Sequence, residues 1–203
     1  MKLFLSLSLF LLTSLALALP AHNQLIQMLE AIKTLDAQFN QTVTMNGRRV
    51  SESNGHFSLK KPGQLNWTIQ KPQQQIMIAD GQTVWVYEPK IQQATRRPQK
   101  AGVGGTAGLF VSSKPNLWVA RYRVTSQSNG QTTIFQLVSK NQKNSLAKVK
   151  LFFEANRLEK IEFWDQLGQY SQISLSRVKV NQTLSSRLFH FSPPKNVDVI
   201  DLR

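Results

Sequence analysis

The chain contains no cysteine, only three histidines and only 11 acidic residues among 203. Each shortage closes off a class of function. Without cysteine there is no disulfide framework, no thiolate nucleophile and no lipobox cysteine through which the chain could be acylated. The histidines, His22, His56 and His190, lie far apart in the sequence. None has a second histidine or an acid at metal-ligand spacing, so each reads as a half-buried or surface side chain. No Gly-x-Ser-x-Gly elbow is present. Glu159, Glu162 and Asp165 fall on one alternating stretch and read as its solvated face. Gly102 to Ala107 formally fits a dinucleotide fingerprint, but it follows no clean strand and opens no long helix. The expectation is a protein that is not an enzyme, with no catalytic residues, no metal and no cofactor.

Acid is scarce and base is not: 25 Lys and Arg give a formal charge of +14. Such an excess attracts anionic surfaces, whether phospholipid head groups, nucleic acid or an acidic protein face. The first eighteen residues read as an export signal. Met1-Lys2 is a positive start, Leu3 to Leu17 is an almost unbroken apolar run, and Ala16-Leu17-Ala18 is a small-x-small cleavage site. The run is short for a membrane span and lacks a basic stop-transfer flank. Residues 1–18 are therefore expected to be removed, leaving 19–203 as one soluble, exported domain with room for a single core.

The patterning of that domain is mostly period two. From Gly55 to Pro89 four short strands alternate large apolar side chains, broken at Lys61-Pro62-Gly63, Lys71-Pro72 and Asp80-Gly81. Before them, Leu25, Met28, Leu29 and Ile32 have helical spacing, with Asn23 placed as a cap. Ala37, Phe39, Gln41, Val43 and Met45 then alternate up to an Asn46-Gly47 turn. Arg96 to Asn116 shows no sheet signal. It is basic, then glycine-rich, with Leu109-Phe110-Val111 as a brief apolar plug, and it reads as a lid or binding loop. Further alternating runs from Arg121 to Leu175 bring the count to about eleven strands, and the tail from Phe189 to Ile200 reads as an edge strand or strap. The expected fold is mainly β with few helices: an unclosed antiparallel β-barrel covered by short lid helices.

An inward face holding Phe39, Trp67, Ile69, Ile76, Ile78 and Trp85 has little to cover it beyond one helix and one loop. Two readings stand: an ordinary packed core, or an incompletely filled apolar cavity.

Taken in order, several segments resemble one family. They are Phe39-Asn40-Gln41-Thr42-Val43; Gly55-x-Phe57-x-Leu59-x-Lys61-Pro62-x-x-x-Asn66-Trp67; Asp80-Gly81-x-x-Val84-Trp85-x-Tyr87-x-Pro89; Gln93-Ala94-Thr95; and Phe189-x-Phe191-x-Pro193-Pro194. The set is similar to the LolA family of periplasmic outer-membrane lipoprotein carriers, over essentially the whole mature chain. The resemblance implies a chaperone that shuttles lipoproteins from inner to outer membrane with their acyl chains in a hydrophobic cavity. It implies loading by an inner-membrane ATP-driven complex, delivery to an outer-membrane receptor lipoprotein, a periplasmic location and a monomer that binds no nucleic acid. Phe39, Trp67, Ile69, Ile76, Ile78 and Trp85 would line the cavity; Leu25, Met28, Leu29, Ile32, Leu109 and Phe110 would form the lid and mouth. The family carries an arginine that latches the lid where this chain has Lys61. A lysine keeps the charge but not the planar fork of donors, so the latch would be weaker; a solvated turn lysine is the other reading. Two alternatives remain open beside the carrier: a basic exported β-protein binding a polyanion, and a lipid-sensing envelope-stress domain on the same fold.

Overall fold

The computed structural model describes residues 19–101, 103, 111 and 114–202. The expected export signal, residues 1–18, and the expected lid residues Leu109 and Phe110 lie outside the described residues.

Helix α1 (Ala21–Ala31) comes first and buries Leu25 and Leu29, as their spacing predicts. It begins earlier than expected. Pro20, not Asn23, occupies the N-cap and no side chain caps it; the Pro20 carbonyl accepts the first helical bond, from the Gln24 amide at 3.0 Å. A proline suits that place because its missing N–H is no loss where helix amides are unpaired anyway.

Six strands follow: β1 (Thr34–Met45), β2 (Arg48–Lys60), β3 (Gln64–Lys71), β4 (Gln75–Asp80), β5 (Thr83–Glu88) and β6 (Gln93–Pro98). The β1–β2 turn is the Asn-Gly pair, with φ of 51° at Asn46 and 73° at Gly47, the left-handed geometry whose twist suits a hairpin. A short helix α2 (Pro115–Val119) precedes β7 (Tyr122–Asn129), β8 (Thr132–Ser139), β9 (Leu146–Glu154), β10 (Arg157–Asp165) and β11 (Tyr170–Val180); β12 (Asp198–Asp201) ends the chain. The described residues thus give twelve strands where about eleven were expected. The strand β6 continues through Arg96, Arg97 and Pro98, which read as irregular: Arg96 stacks over Trp85 and pairs with Asp201 at 2.8 Å, so its charge is matched on the sheet surface.

All twelve strands form one sheet, ordered β12-β6-β5-β4-β3-β2-β1-β11-β10-β9-β8-β7. Two antiparallel meanders are joined along β1 and β11, and β12 adds in parallel to β6. Among the described residues the outermost strands β12 and β7 do not pair, so the barrel is unclosed. Directly opposed residues share a face, so the ladder fixes what points inward. One inner row runs Leu35, Leu59, Leu65, Ala79, Val84; the next runs Ala37, Phe57, Trp67, Met77, Val86. From the second meander Phe135, Leu137, Val149, Leu151, Ile161 and Ile173 join the same core, and α1 contributes Leu25 and Leu29. Both meanders therefore wrap round one apolar interior with α1 across it.

Candidate functional site

The interior has an aromatic floor. Phe39 and Trp67 rings lie 4.6 Å apart and Phe57 and Trp67 rings 5.4 Å apart. On β3, Trp67 points in while the adjacent Asn66 points out, as strand alternation requires. Gly55 on β2 lies opposite Phe39 and Ile69, and a Cβ there would run into the Thr68 carbonyl oxygen. Glycine is thus imposed by close strand approach. Ile69 packs against the core as expected.

Ile76, Ile78 and Trp85 do not belong to this interior. Ile78 opposes Asn66 and Trp85, and Ile76 opposes Thr68 and Tyr87, which places all three on the outer face. There the C-terminal tail covers them: Phe191 lies 5.4 Å from both Trp85 and Tyr87, Phe189 is fully buried, and Asn66 Nδ2 donates to the Leu188 carbonyl at 2.7 Å. Met77 and Ala79 are the β4 residues that face inward. The reason for the misplacement is physical. Alternation gives two faces, and here both are apolar because each is covered, one by α1 and one by the tail.

Across the interior, Leu25, Leu29 and Ile32 are buried and Met28 packs partly against the core. The helix is tied down at its C-terminal end by two side chains from elsewhere. Lys61 Nζ donates to the Leu29 carbonyl at 2.5 Å, and its own amide donates to the Lys33 carbonyl at 2.9 Å. Lys61 thus bonds backbone of α1 and is not a freely solvated turn lysine. Burial first, and then the neighbouring Lys33 charge, lower the pKa of this amine, while Glu30 opposes them. The second tie, Asn181 just past β11, was not singled out from the sequence. Its Nδ2 donates to the Ala31 carbonyl at 2.9 Å, and its Oδ1 accepts from Lys33 N at 2.7 Å and Thr34 N at 3.3 Å. Asn181 thus satisfies a carbonyl at the helix end, while Lys61 adds a second bond to the Leu29 carbonyl, which already accepts from the Ile32 amide at 3.3 Å. Its backbone takes φ 58°, a left-handed conformation that asparagine tolerates better than most residues. The helix α2 buries Pro115 and Val119, and its Trp118 meets Tyr122 edge-on at 6.3 Å.

Among the described residues, one cluster combines a histidine, a serine and an acid. On the outer face His56 Nε2 and Ser58 Oγ both reach Asp36 Oδ2, at 2.9 and 2.7 Å, while Ser58 and His56 are 3.4 Å apart. Serine bonded to the acid instead of the base is a brace between β1 and β2, not an activated nucleophile. Among the described residues no cluster of three potential metal ligands occurs, and no helix is long and apolar enough to cross a membrane. What the site offers is an apolar, aromatic-floored interior beneath a helix tied by Lys61 and Asn181.

Known proteins share this architecture and much of its sequence. The profile of a family described as "Outer membrane lipoprotein carrier protein LolA" matches residues 30–192. An outer-membrane lipoprotein carrier protein of Legionella pneumophila (strain Lens) is 39% identical over 172 residues, 85% of each chain. One from Chromobacterium violaceum is 32% identical over 190 residues, 91% of each. A crystal structure of an uncharacterized conserved protein from Thermus thermophilus superposes with a TM-score of 0.56 at 14% identity, over 89% of this chain and 98% of the other, a likeness of fold alone.

Proposed function

Because the chain belongs to the LolA family of outer-membrane lipoprotein carrier proteins, we propose that it shelters lipoprotein acyl chains in its apolar interior and carries them between membranes. The observation that carries this reading is the covered inner face itself: aromatic and aliphatic rows from both meanders under a helix held by Lys61 and Asn181. Each methylene removed from water is worth about 0.8 kcal/mol, so acyl chains leave a bilayer only for an equally apolar refuge. A carrier must also let go. A lid that closes on the empty interior subtracts its closing free energy from the affinity for cargo, which keeps release feasible. Lys61 supports this as the latch, since its partner is lid backbone. The role is carriage, not catalysis.

The finer assignments follow from the family. The protein works in the periplasm as a monomer, takes cargo from an ATP-driven inner-membrane complex and passes it to a receptor lipoprotein on the outer membrane. Leu25, Met28, Leu29 and Ile32 form the underside of the lid, and Phe39, Trp67 and Ile69 the wall the acyl chains would meet. The test is native mass spectrometry of the protein purified from an envelope extract. Triacylated lipoprotein bound one-to-one is expected. A clean unliganded mass that shifts only with phospholipid or an oligonucleotide would sink the assignment.

A further inference from the structure

Two polar side chains among the described residues are buried, and they are treated differently. Ser58 bonds Asp36. Ser171 is 1% exposed and its Oγ has no hydrogen-bond partner. Its position is fixed by the ladder: on β11 it opposes Phe163 of β10 and Val43 of β1. That cross-strand row continues through Val149 and Leu137 to Val124 on β7, all on the inner face. A buried hydroxyl in the midst of valine, leucine and phenylalanine, with no partner among the described residues, costs stability until an acceptor reaches it. Alanine would fill the place without that penalty.

A second orphan lies at the same end of the strands. Trp118 on α2 packs against the core, and its Nε1, a donor only, is likewise buried without a partner. It touches Tyr122, two residues before Val124 on β7. One donor thus sits on the wall and one on α2, both in apolar surroundings.

We propose that Ser171 on the wall and Trp118 on α2 each donate a hydrogen bond to an ester carbonyl oxygen of a bound acyl group. An acyl ester fits the pair: it brings acceptors and no donor, joined directly to hydrocarbon that suits the neighbouring side chains. The hydroxyl then tells acylated cargo from a bare hydrocarbon of the same length. This rests on the carrier reading of the same interior.

The experiment titrates the mature protein with two probes of equal chain length, a di-ester (dipalmitoylglyceryl-cysteinyl peptide) and its di-ether analogue. Ser171→Ala is expected to weaken the di-ester about five-fold, close to 1 kcal/mol at 1.4 per tenfold. It should leave the di-ether within about two-fold and should not lower the denaturation midpoint of the empty protein. Trp118→Phe, which keeps an aromatic ring but loses the pyrrole half with its N–H, should weaken the di-ester more than the di-ether. Equal loss for both probes, or none for either, overturns the proposal while the carrier reading stands. A wild-type protein that binds neither probe overturns both. If Ser171→Ala destabilises the fold, Ser171→Cys decides, since its weak donor at similar volume should restore only part of the discrimination.

Discussion

Asn181 gives the sharpest test of how the covering helix is held. Its side chain makes bonds to Ala31, Lys33 and Thr34, and its backbone sits at φ 58°. Two variants separate these contributions. Asn181→Gly deletes the side chain but keeps the left-handed backbone comfortable. The three bonds are solvent-exposed, so the freed groups rehydrate, and the net loss is about 1–2 kcal/mol instead of three full bonds. Asn181→Ala loses the same bonds and adds the penalty of a Cβ in that conformation, about 1 kcal/mol more. For a chain of this size the glycine variant should melt roughly 3–6 °C lower, and the alanine variant a further few degrees. Hydrogen exchange localises the effect, because the Lys33 amide depends directly on Asn181 Oδ1 and should lose protection in both variants. Acyl-probe affinity should rise in step, since a less firmly closed lid subtracts less from it. A glycine variant as stable as wild type, with an equally slow Lys33 amide, would refute the clamp. Alanine no worse than glycine would refute the backbone part alone.

Lys61→Met should raise acyl-probe affinity about five-fold by removing one charge-assisted bond from the closed lid, valued near the low end because the amine is only half-buried. The same variant has a pH signature. The Lys61 pKa is lowered in the folded protein from 10.5, so between the two values the unfolded chain binds more protons and wild-type stability rises with pH. Methionine removes that contribution; urea midpoints for the two proteins that run parallel up to pH 10.5 would contradict the burial of this amine. Gly55→Ala drives a Cβ into the Thr68 carbonyl. It should cost about 3 kcal/mol, at the upper end for overpacking, and melt roughly 10 °C lower; a change within experimental error would mean that β2 and β3 separate freely.

Much of this was readable beforehand, and the failures have a common cause. The hairpins at Asn46-Gly47 and Asp80-Gly81 and the strands between them follow from local rules, because turn geometry and alternation are decided by neighbours in sequence. Alternation gives the parity of a strand but not which parity faces the core. In β4 both parities are apolar, so Ile76 and Ile78 were as plausible inside as Met77 and Ala79. Only the tail, more than a hundred residues on, decides between them. Arg96 and Arg97 looked like loop residues for the same reason, since Asp201 is what makes an arginine at home on that strand. Lys61 could be singled out because its segment resembles a family motif. Asn181 begins only an Asn-x-Thr triplet of the kind this chain holds by chance, and its partners lie about 150 residues away in sequence. Ser171 looked like one more serine on an alternating strand; its lack of a partner is a property of the assembled interior.

The open sheet has one further consequence, for the protein's behaviour in company. A barrel that closed would have no free strand, whereas this sheet ends in β12 and β7, whose outer edges pair with no other strand among the described residues and so could recruit another chain. The first end is a four-residue strand bearing Asp198 and Asp201, and beneath it β6 finishes at Pro98, which has no amide to offer. The second carries Arg123 on an exposed, largely polar run. Short length, charge and proline are how natural sheets keep neighbours from adding on. The unclosed sheet thus carries, at both ends, features that make its edges poor templates for a further strand.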